Sequence, residues 1–478
     1  MRLSKLLDLV VTKEIIGYKN VNVTHLTHNS KECKSGSVFF AIKGKNSDGN
    51  NYILDAINMG AKVVVTDTKN THIACTQIVV EDVRKTMSIM AKNFYNKAVD
   101  KLKIIGVVGT AGKTTTTMII THILQHFDIK CGVIGTNGIY INNIRYENLF
   151  TTPDPIELHK VFYDMQKAGI KYVVMEVSAQ SIYYSKIYGV NILVGVFTNV
   201  SNEHLDFFKT MSNYIETKTS IFNKNCMQQC VINIDDIVGE ILAQNTLVSA
   251  TTVSLNVDAD FKVTNIKKCG DKQKICFTYD AINYVVKSNL IGKFNVYNLM
   301  QAIAVCKCLK LDIAKATKCI ENLQNISGRC NKYKVGGKDI IIDFAHTSDS
   351  IEKVLDTLQG FYKKNMIVVF GAVGYSDTPK RIAMARAVSK YSNKIIITSD
   401  NPGNTCFMDI CADLLQGVSG AKPVLIEDRK SAILYAYNNM DKNELLVILG
   451  KGHETFQKIK NERVPYSDED VINNLSVE

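Results

Sequence analysis

Ile104-Ile-Gly-Val-Val-Gly-Thr-Ala-Gly-Lys-Thr-Thr-Thr-Thr117 is an apolar β-branched run that breaks into a glycine turn and resumes as a helix-compatible segment. Glycines at 109 and 112 let the backbone curl so that its N–H groups face an anion, at the positive end of the helix that follows. Lys113 can then reach the β- and γ-phosphates of a nucleotide, and the Thr114 hydroxyl can hold magnesium. The strict eight-residue phosphate-loop spelling is not met, because Val107 stands where its first glycine would, between Gly106 and Gly109. The order strand, GxxGKTT, helix nonetheless predicts an ATP or GTP loop formed by Gly109, Thr110, Ala111, Gly112, Lys113, Thr114 and Thr115. A magnesium–nucleotide site needs a further carboxylate at the end of a neighbouring parallel strand. Tyr172-Val-Val-Met-Glu-Val-Ser178 supplies one in Glu176.

Outward from this loop, apolar β-branched runs alternate with longer helical patterns, which predicts parallel sheets with crossover helices. The runs are 62–66, 103–108, 172–177, 193–198, 340–343, 366–370, 395–398 and 445–449. Residues 252–287 read as short strands with turns, an antiparallel extension. At 478 residues the chain exceeds the roughly 250–300 at which single cores stop growing. Weakly apolar joints at 96–101 and 325–332 suggest three domains, 1–97, 98–326 and 327–478.

The 57 Lys and Arg exceed the 46 Asp and Glu, for a formal charge of +11. That favours phosphate-rich ligands without naming one. No basic run is interleaved with aromatics, so nucleic acid is not expected. Residues 1–11 are too short and too soon interrupted for a secretory segment, and no run of 18 uncharged apolar residues occurs. A cytoplasmic protein without membrane attachment is expected, working as a monomer. The thirteen cysteines contain no CxxC pair; the closest spacings, Cys226/Cys230 and Cys306/Cys308, lack neighbours to complete a zinc site, so reduced buried thiols are expected.

Two further residues sit where chemistry is possible. His204, in Asn202-Glu-His-Leu-Asp206, follows a strand that ends in Phe197-Thr-Asn199; a neutral imidazole there can ligate a metal, although alone it reads as a surface or packed histidine. Lys218, in Tyr214-Ile-Glu-Thr-Lys-Thr-Ser-Ile-Phe222, reads alone as a solvated helix lysine.

The order of short motifs then resembles the Mur ligases, most closely the MurE type, over nearly the whole chain. Ser37-Val-Phe-Phe-Ala with Asp48-Gly49 is followed by the GTxGKTT loop, Thr151-Thr-Pro153, Glu176-Val-Ser178, Phe197-Thr-Asn199, His204-Leu-Asp206 and Lys218. Gly292-Lys-Phe-Asn295 with Asn298, Gly328-Arg329, Asp343-Phe-Ala-His346, Lys380-Arg381, Asp400-Asn-Pro402 and Gly450-Lys-Gly-His-Glu454 complete the series. The resemblance implies three α/β domains: an N-terminal UDP-binding domain, a central P-loop-type parallel-sheet ATPase domain and a C-terminal Rossmann-like domain. It implies a ligase that spends ATP to join an amino acid to UDP-MurNAc-L-Ala-D-Glu through an acyl phosphate, with two magnesium ions. By the same resemblance His204 binds the second magnesium and Lys218 is carbamylated, a step that requires an uncharged amine. Asn295 would contact adenine, and Arg329 and Asp343 the phosphate and ribose. Ser30 would contact the uridine nucleotide; Thr151, Thr152, Ser178 and Lys186 the muramoyl peptide; Asp400, Asn401, Gly450 and Glu454 the incoming amino acid.

This chain also departs from the usual family spelling. Asn29 and Lys31 flank Ser30 in place of Asp and Arg; Ala111 replaces the loop Asn; Ala179 and Gln180 replace Ser and His. Lys186 stands for Arg, Glu203 for Asp and Phe208 for His. Gly403 stands where diaminopimelate-selecting enzymes carry an arginine that grips the distal carboxylate through its planar fork, so that grip is absent and lysine or another amino acid is expected as readily as diaminopimelate. A diverged paralogue that binds nucleotide or muramoyl peptide with little ligase activity is the alternative reading. A folylpolyglutamate-type acceptor is disfavoured by the long uridine-type N-terminal segment.

Overall fold

The structure is a computed structural model, and it describes residues 1–18, 20–44, 47–460 and 462–475. The chain divides into two compact units: 1–263 with 278–282 and 297–319, and 264–277 with 283–296 and 320–478.

The first unit holds two sheets. The N-terminal one orders its strands Glu14–Ile16, Thr76–Val79, Ala61–Thr66, Ser37–Phe40 and His25–Thr27, all parallel except the antiparallel edge Glu14–Ile16. The larger sheet is built around Lys103–Val108, whose Ile104, Ile105, Val107 and Val108 are fully buried. A strand apolar at every position after its first residue, Lys103, can sit only in the middle of a sheet covered on both faces. Tyr172–Val177 pairs parallel to one side of it and Ile192–Phe197 to the other. Beyond these lie Cys131–Gly135 on the first side and Met227–Asn233, then Ser249–Ser254, on the second, all parallel. Gly106 is where two neighbours crowd in: a β-carbon there would stand 3.2 Å from Ile192 Cδ1 and 3.3 Å from Val177 Cγ2. The chain leaves Lys103–Val108 toward one side and later returns to the other. This makes its carboxyl end a topological switch point, where open α/β sheets bind ligands.

The sequence-predicted strands match these to within one or two residues at their ends. One expectation is corrected. Ser249–Ser254 is not part of an antiparallel extension but a parallel strand against Met227–Asn233, because Gln229 to Asn233 lie opposite Ser249 to Val253 in register. Strands follow at Phe261–Cys269, Lys272–Tyr279 and Ile282–Ser288, and the division between the two units passes through them.

In the second unit, Asn331–Val335 is antiparallel to Lys338–Asp343; Glu444–Leu449, Asn365–Phe370, Lys394–Ile397 and Val424–Leu425 then continue in parallel. Its helix Ser348–Tyr362 starts at a reciprocal cap between Thr347 and Ser350. Arg429, fully buried at the start of the helix Arg429–Asn438, donates to both oxygens of Asp468 at 2.8 and 2.9 Å and to the Leu449 carbonyl at 2.9 Å. Among the described residues no helix is long and apolar enough to cross a membrane, and all thirteen cysteines are free.

Breaking a buried ion pair from one side leaves the other charge uncompensated, which costs about 3–5 kcal/mol. Arg429→Leu is therefore expected to lower the stability of the second unit by that order in urea unfolding. A loss below about 1 kcal/mol would show that Asp468 finds another partner or protonates cheaply.

Candidate active site at the carboxyl ends of the central sheet

The loop Gly109–Gly112 leaves the central strand and enters the helix Lys113–His126 through Gly112, whose φ of +83° is a left-handed conformation that glycine adopts without strain. A β-carbon at Gly112 would meet Asn298 Oδ1 at 2.4 Å, and one at Gly109 would meet Thr198 Oγ1 at 1.8 Å. Both glycines are thus required by close packing as well as by backbone shape. The strand end Ile192–Phe197 buttresses the loop. Thr198 Oγ1 and Asn199 Nδ2 donate to the Ala111 carbonyl at 2.7 and 3.1 Å, and Ala111 N donates to Asn199 Oδ1 at 3.0 Å. Ala111 itself is exposed, so the missing loop asparagine is replaced here by support from below. Lys113 folds back over the loop, its Nζ donating to the carbonyls of Gly109 and Thr110 at 2.9 and 2.8 Å. Thr115 is buried in the first helical turn.

Glu176 is the focus of the site. It is 1% exposed, and its Oε1 accepts from Thr114 Oγ1 at 3.0 Å and from Thr136 N at 2.7 Å, while Oε2 accepts from Thr136 Oγ1 at 3.1 Å. Thr136 also lies 3.2 Å from Thr151 Oγ1. Three elements therefore meet: the first turn of the loop helix, the turn after Cys131–Gly135, and the end of Tyr172–Val177. On the next residues, Thr152 Oγ1 donates to the Glu176 carbonyl at 2.9 Å and accepts from Ser178 N at 3.2 Å. Lys186 Nζ pairs with Asp154 at 2.8 Å and stands over the Phe150 ring.

On the other side of the loop, Thr110 Oγ1 accepts from Ser201 N at 3.1 Å, lies 3.2 Å from the Tyr214 hydroxyl, and is 3.2 Å from Lys218 Nζ. Lys218 is 1% exposed, with its ammonium 4.4 Å above the Tyr214 ring. Burial, and then the Lys113 charge, push its pKa well below the ordinary lysine value. The expectation of a solvated helix lysine is thus overturned, and burial favours the uncharged amine. His204, in a left-handed conformation at φ +58° and with its side chain 47% exposed, sits 3.8 Å from Glu203. Partial burial, then the charges of Lys113 and Lys218, lower its pKa against the opposing pull of Glu203 and Asp206. Lys113, Lys218 and His204 therefore share one electrostatic neighbourhood.

Ser30 lies apart from this cluster, in the short turn Ser30–Glu32 of the N-terminal sheet. There Asn29 Oδ1 accepts from Lys31 N, a capping role that asparagine fills as well as aspartate, and its Nδ2 donates to Glu32, a bond an aspartate could not make. Phe208 is buried in an aromatic cluster with Tyr183, Phe207 and Tyr214, so the family histidine is exchanged for packing.

The three residues expected at adenine, phosphate and ribose belong to the second unit, as do the four expected at the incoming amino acid. Asn295 is buried and donates to the Ile291 carbonyl at 2.9 Å. Arg329 stacks over the Phe344 ring with 5.0 Å from the guanidinium carbon to the ring centre. Asp343 accepts from Cys330 N and Ala345 N at 2.8 and 2.7 Å, and burial raises its pKa, opposed first by Arg329. In the same unit Lys451, fully buried, donates to Glu454 at 2.7 Å and Asn401 at 3.2 Å and lies 3.8 Å from Asp400. Gly450 leaves room for this network, since a β-carbon there would stand 2.4 Å from Asp400 Oδ2. Gly403 has φ +58°, and a β-carbon on it would meet nothing within 4 Å.

Sequence reading did not single out Thr136, Tyr214, Asn199 or Lys451 as site residues. Thr136 had a usable signal, its place just after an apolar strand next to the glutamate's own.

Three family profiles match successive parts of the chain: "Mur ligase family, catalytic domain" over 22–101, "Mur ligase middle domain" over 107–306 and "Mur ligase, glutamate ligase domain" over 328–452. The UDP-N-acetylmuramoyl-L-alanyl-D-glutamate--2,6-diaminopimelate ligase 1 of Clostridium acetobutylicum is 36% identical, across 99% of this chain and 98% of its own. The chain belongs to the Mur ligase family. An Aquifex aeolicus member, also named as a 2,6-diaminopimelate ligase, is 37% identical over 95% of this chain and 93% of its own. A solved diaminopimelate ligase structure superposes with a TM-score of 0.72 at 26% identity, covering 100% of this chain and 99% of that one. The three-domain Mur ligase fold, mixed α/β with parallel sheets, is thus the architecture of this chain.

For a Mur ligase so built, Gly109→Ala must push Thr198 aside and break its bond to Ala111. The expected cost is about 1–3 kcal/mol of stability, with loss of MgADP binding by calorimetry. Unaltered MgADP affinity would show that the close packing at Gly109 is incidental to nucleotide binding.

Proposed function

We propose that this protein is the ATP-dependent ligase that adds an amino acid to UDP-N-acetylmuramoyl-L-alanyl-D-glutamate, through an acyl phosphate, in peptidoglycan precursor synthesis. It thereby serves cell-wall formation, cell shape and division. The observation that carries the reading is the buried Glu176 carboxylate, held by Thr114 and Thr136 at the mouth of the Lys113 loop. Thr152 and Ser178 stand on the next residues and the buried Lys218 on the loop's other side. The working domains are taken as 1–97, 98–326 and 327–478. The enzyme acts on small molecules in the cytoplasm, as a monomer.

Hydroxyl and carboxylate oxygens are the donors magnesium prefers, so Thr114 and Glu176 fit one ion. His204 fits a second once Lys218 is carbamylated, which turns a cation into a carboxylate. Magnesium, when bound, neutralises charge on the transferring phosphoryl group. Lys113 leaves its two carbonyl partners to take the β- and γ-phosphates, and the loop amides position them. Arg329 and Asp343 are assigned to phosphate and ribose, Asn295 to adenine. Ser30 is assigned to the uridine nucleotide; Thr151, Thr152, Ser178 and Lys186 to the muramoyl peptide. Asp400, Asn401, Gly450 and Glu454 are assigned to the incoming amino acid. The relatives' names support 2,6-diaminopimelate, and Gly403 requires that its distal carboxylate be held without a guanidinium from that position. Against a binding-only paralogue stands the complete set of Lys113, Thr114, Glu176, His204, Lys218, Asn295, Arg329 and Asp343.

Incubation with UDP-MurNAc-L-Ala-D-Glu, ATP, magnesium and single amino acids should release phosphate and extend the product mass with diaminopimelate. Turnover with lysine alone would overturn the amino-acid assignment; no turnover with any amino acid would favour the binding-only paralogue. Lys113→Ala is expected to cut kcat at least about 100-fold.

Carbon-13 bicarbonate should yield a carbamate resonance that Lys218→Ala lacks. Its occupancy should rise with pH, because only the unprotonated amine reacts. Full activity in Lys218→Ala, unaltered by small carboxylates, would rule the modification out.

A further inference from the structure

At the opposite end of the loop helix from the nucleotide, a second group of ligating side chains is gathered. His122 and His126 lie four residues apart on Lys113–His126 and so share a face, with ring centroids 4.6 Å apart. Cys319, buried in the last turn of the helix Ile313–Ile320, faces them, and His122 Nε2 lies 2.9 Å from the Cys319 carbonyl. One ligand atom from each of the three side chains falls within 4.8 Å of the other two, and among the described residues no other trio of His, Cys, Asp or Glu is so grouped. All three belong to the first unit. At 1.5 Å per residue they stand roughly 14–20 Å along the helix from Lys113, too far to touch the phosphates.

We propose that His122, His126 and Cys319 form a site for a thiophilic divalent cation, with zinc as its natural occupant, that clips the nucleotide-loop helix to the helix Ile313–Ile320. Two imidazoles and a thiolate suit zinc, whereas magnesium takes oxygen donors. Tetrahedral bonds of about 2.0–2.3 Å put ligand atoms roughly 3.3–3.8 Å apart. A contraction of about 1 Å from the present spread would complete the site, and the exposed His126 is free to supply it. The contact to the Cys319 carbonyl holds the His122 ring in place, as the second nitrogen of a ligating histidine ordinarily does. A cation there also meets the negative end of the helix dipole. Cys319 Sγ now donates to the Ala316 carbonyl at 3.0 Å, and burial pushes its pKa to about 11, opposed by Lys315 one turn earlier. On binding, the S–H bond ionises, sulfur donates to the metal and the proton passes to solvent. A water takes the fourth position on the exposed side.

The test titrates cobalt(II) alone into the full chain after treatment with a chelator. One equivalent should raise a thiolate-to-cobalt charge-transfer band in the near ultraviolet, which zinc abolishes and excess magnesium does not. Cys319→Ser should lose the band. His126→Ala, a change at the surface that spares the core, should weaken cobalt binding about tenfold or more. No band in the wild type, an unchanged band in Cys319→Ser, or unchanged affinity in His126→Ala would each overturn the site.

Discussion

A buried carboxylate must be matched by donors on every side, because an uncompensated charge in the interior costs several kcal/mol. Glu176 imposes that requirement on the central sheet. Its partners come from the first turn of the loop helix and from the turn after Cys131–Gly135. Meeting the requirement fixes where the loop sits, which way Thr114 points and how the strand ends align. Gly135 shows how little slack remains, since a β-carbon there would stand 2.3 Å from Glu176 Oε1. On the proposed function, the Thr114 and Glu176 oxygens that pair with each other would also hold the divalent cation. Protein stability and nucleotide chemistry would then draw on one set of contacts.

A similar logic governs the second unit, where Lys451 is fully buried among Asp400, Asn401 and Glu454. Asp400 is flanked by both Lys451 and the Arg429 charge, yet burial dominates and raises its pKa. On the proposed function, this is the place that would receive the amino group of the incoming amino acid. Gly450 and the left-handed Asn401 shape that place by keeping backbone close to carboxylate.

The central strand was legible in the sequence because an uninterrupted apolar run followed by glycines has few other solutions. Glu176 was legible because a charge breaks such a run. Thr136 was passed over although it follows a strand beside the glutamate's own, since its contact to Glu176 spans forty residues and a threonine after a strand is common. Lys218 looked like any helix lysine, because burial under Tyr214 and proximity to Lys113 arise only when the helix packs. Ser249–Ser254 has the short, polar look of a hairpin strand, yet its register against Met227–Asn233 is parallel. The His122, His126 and Cys319 group was missed for a plainer reason: its cysteine comes 197 residues after the first histidine, beyond any spacing rule. The substitution of Phe208 reads as loss of a polar group in sequence and as a packed aromatic in space.

Placing Lys103–Val108 between partners that come much later in the chain also has a consequence for biogenesis. The strand emerges from the ribosome apolar beyond Lys103 and must wait for Tyr172–Val177, Ile192–Phe197 and the buttress at Asn199 before its edges are covered. At roughly 5–20 residues per second, that interval is on the order of five to twenty seconds. Through it the nascent polypeptide displays a sticky, unpaired edge of the kind chaperones retain, and the phosphate cradle cannot close until the wait is over.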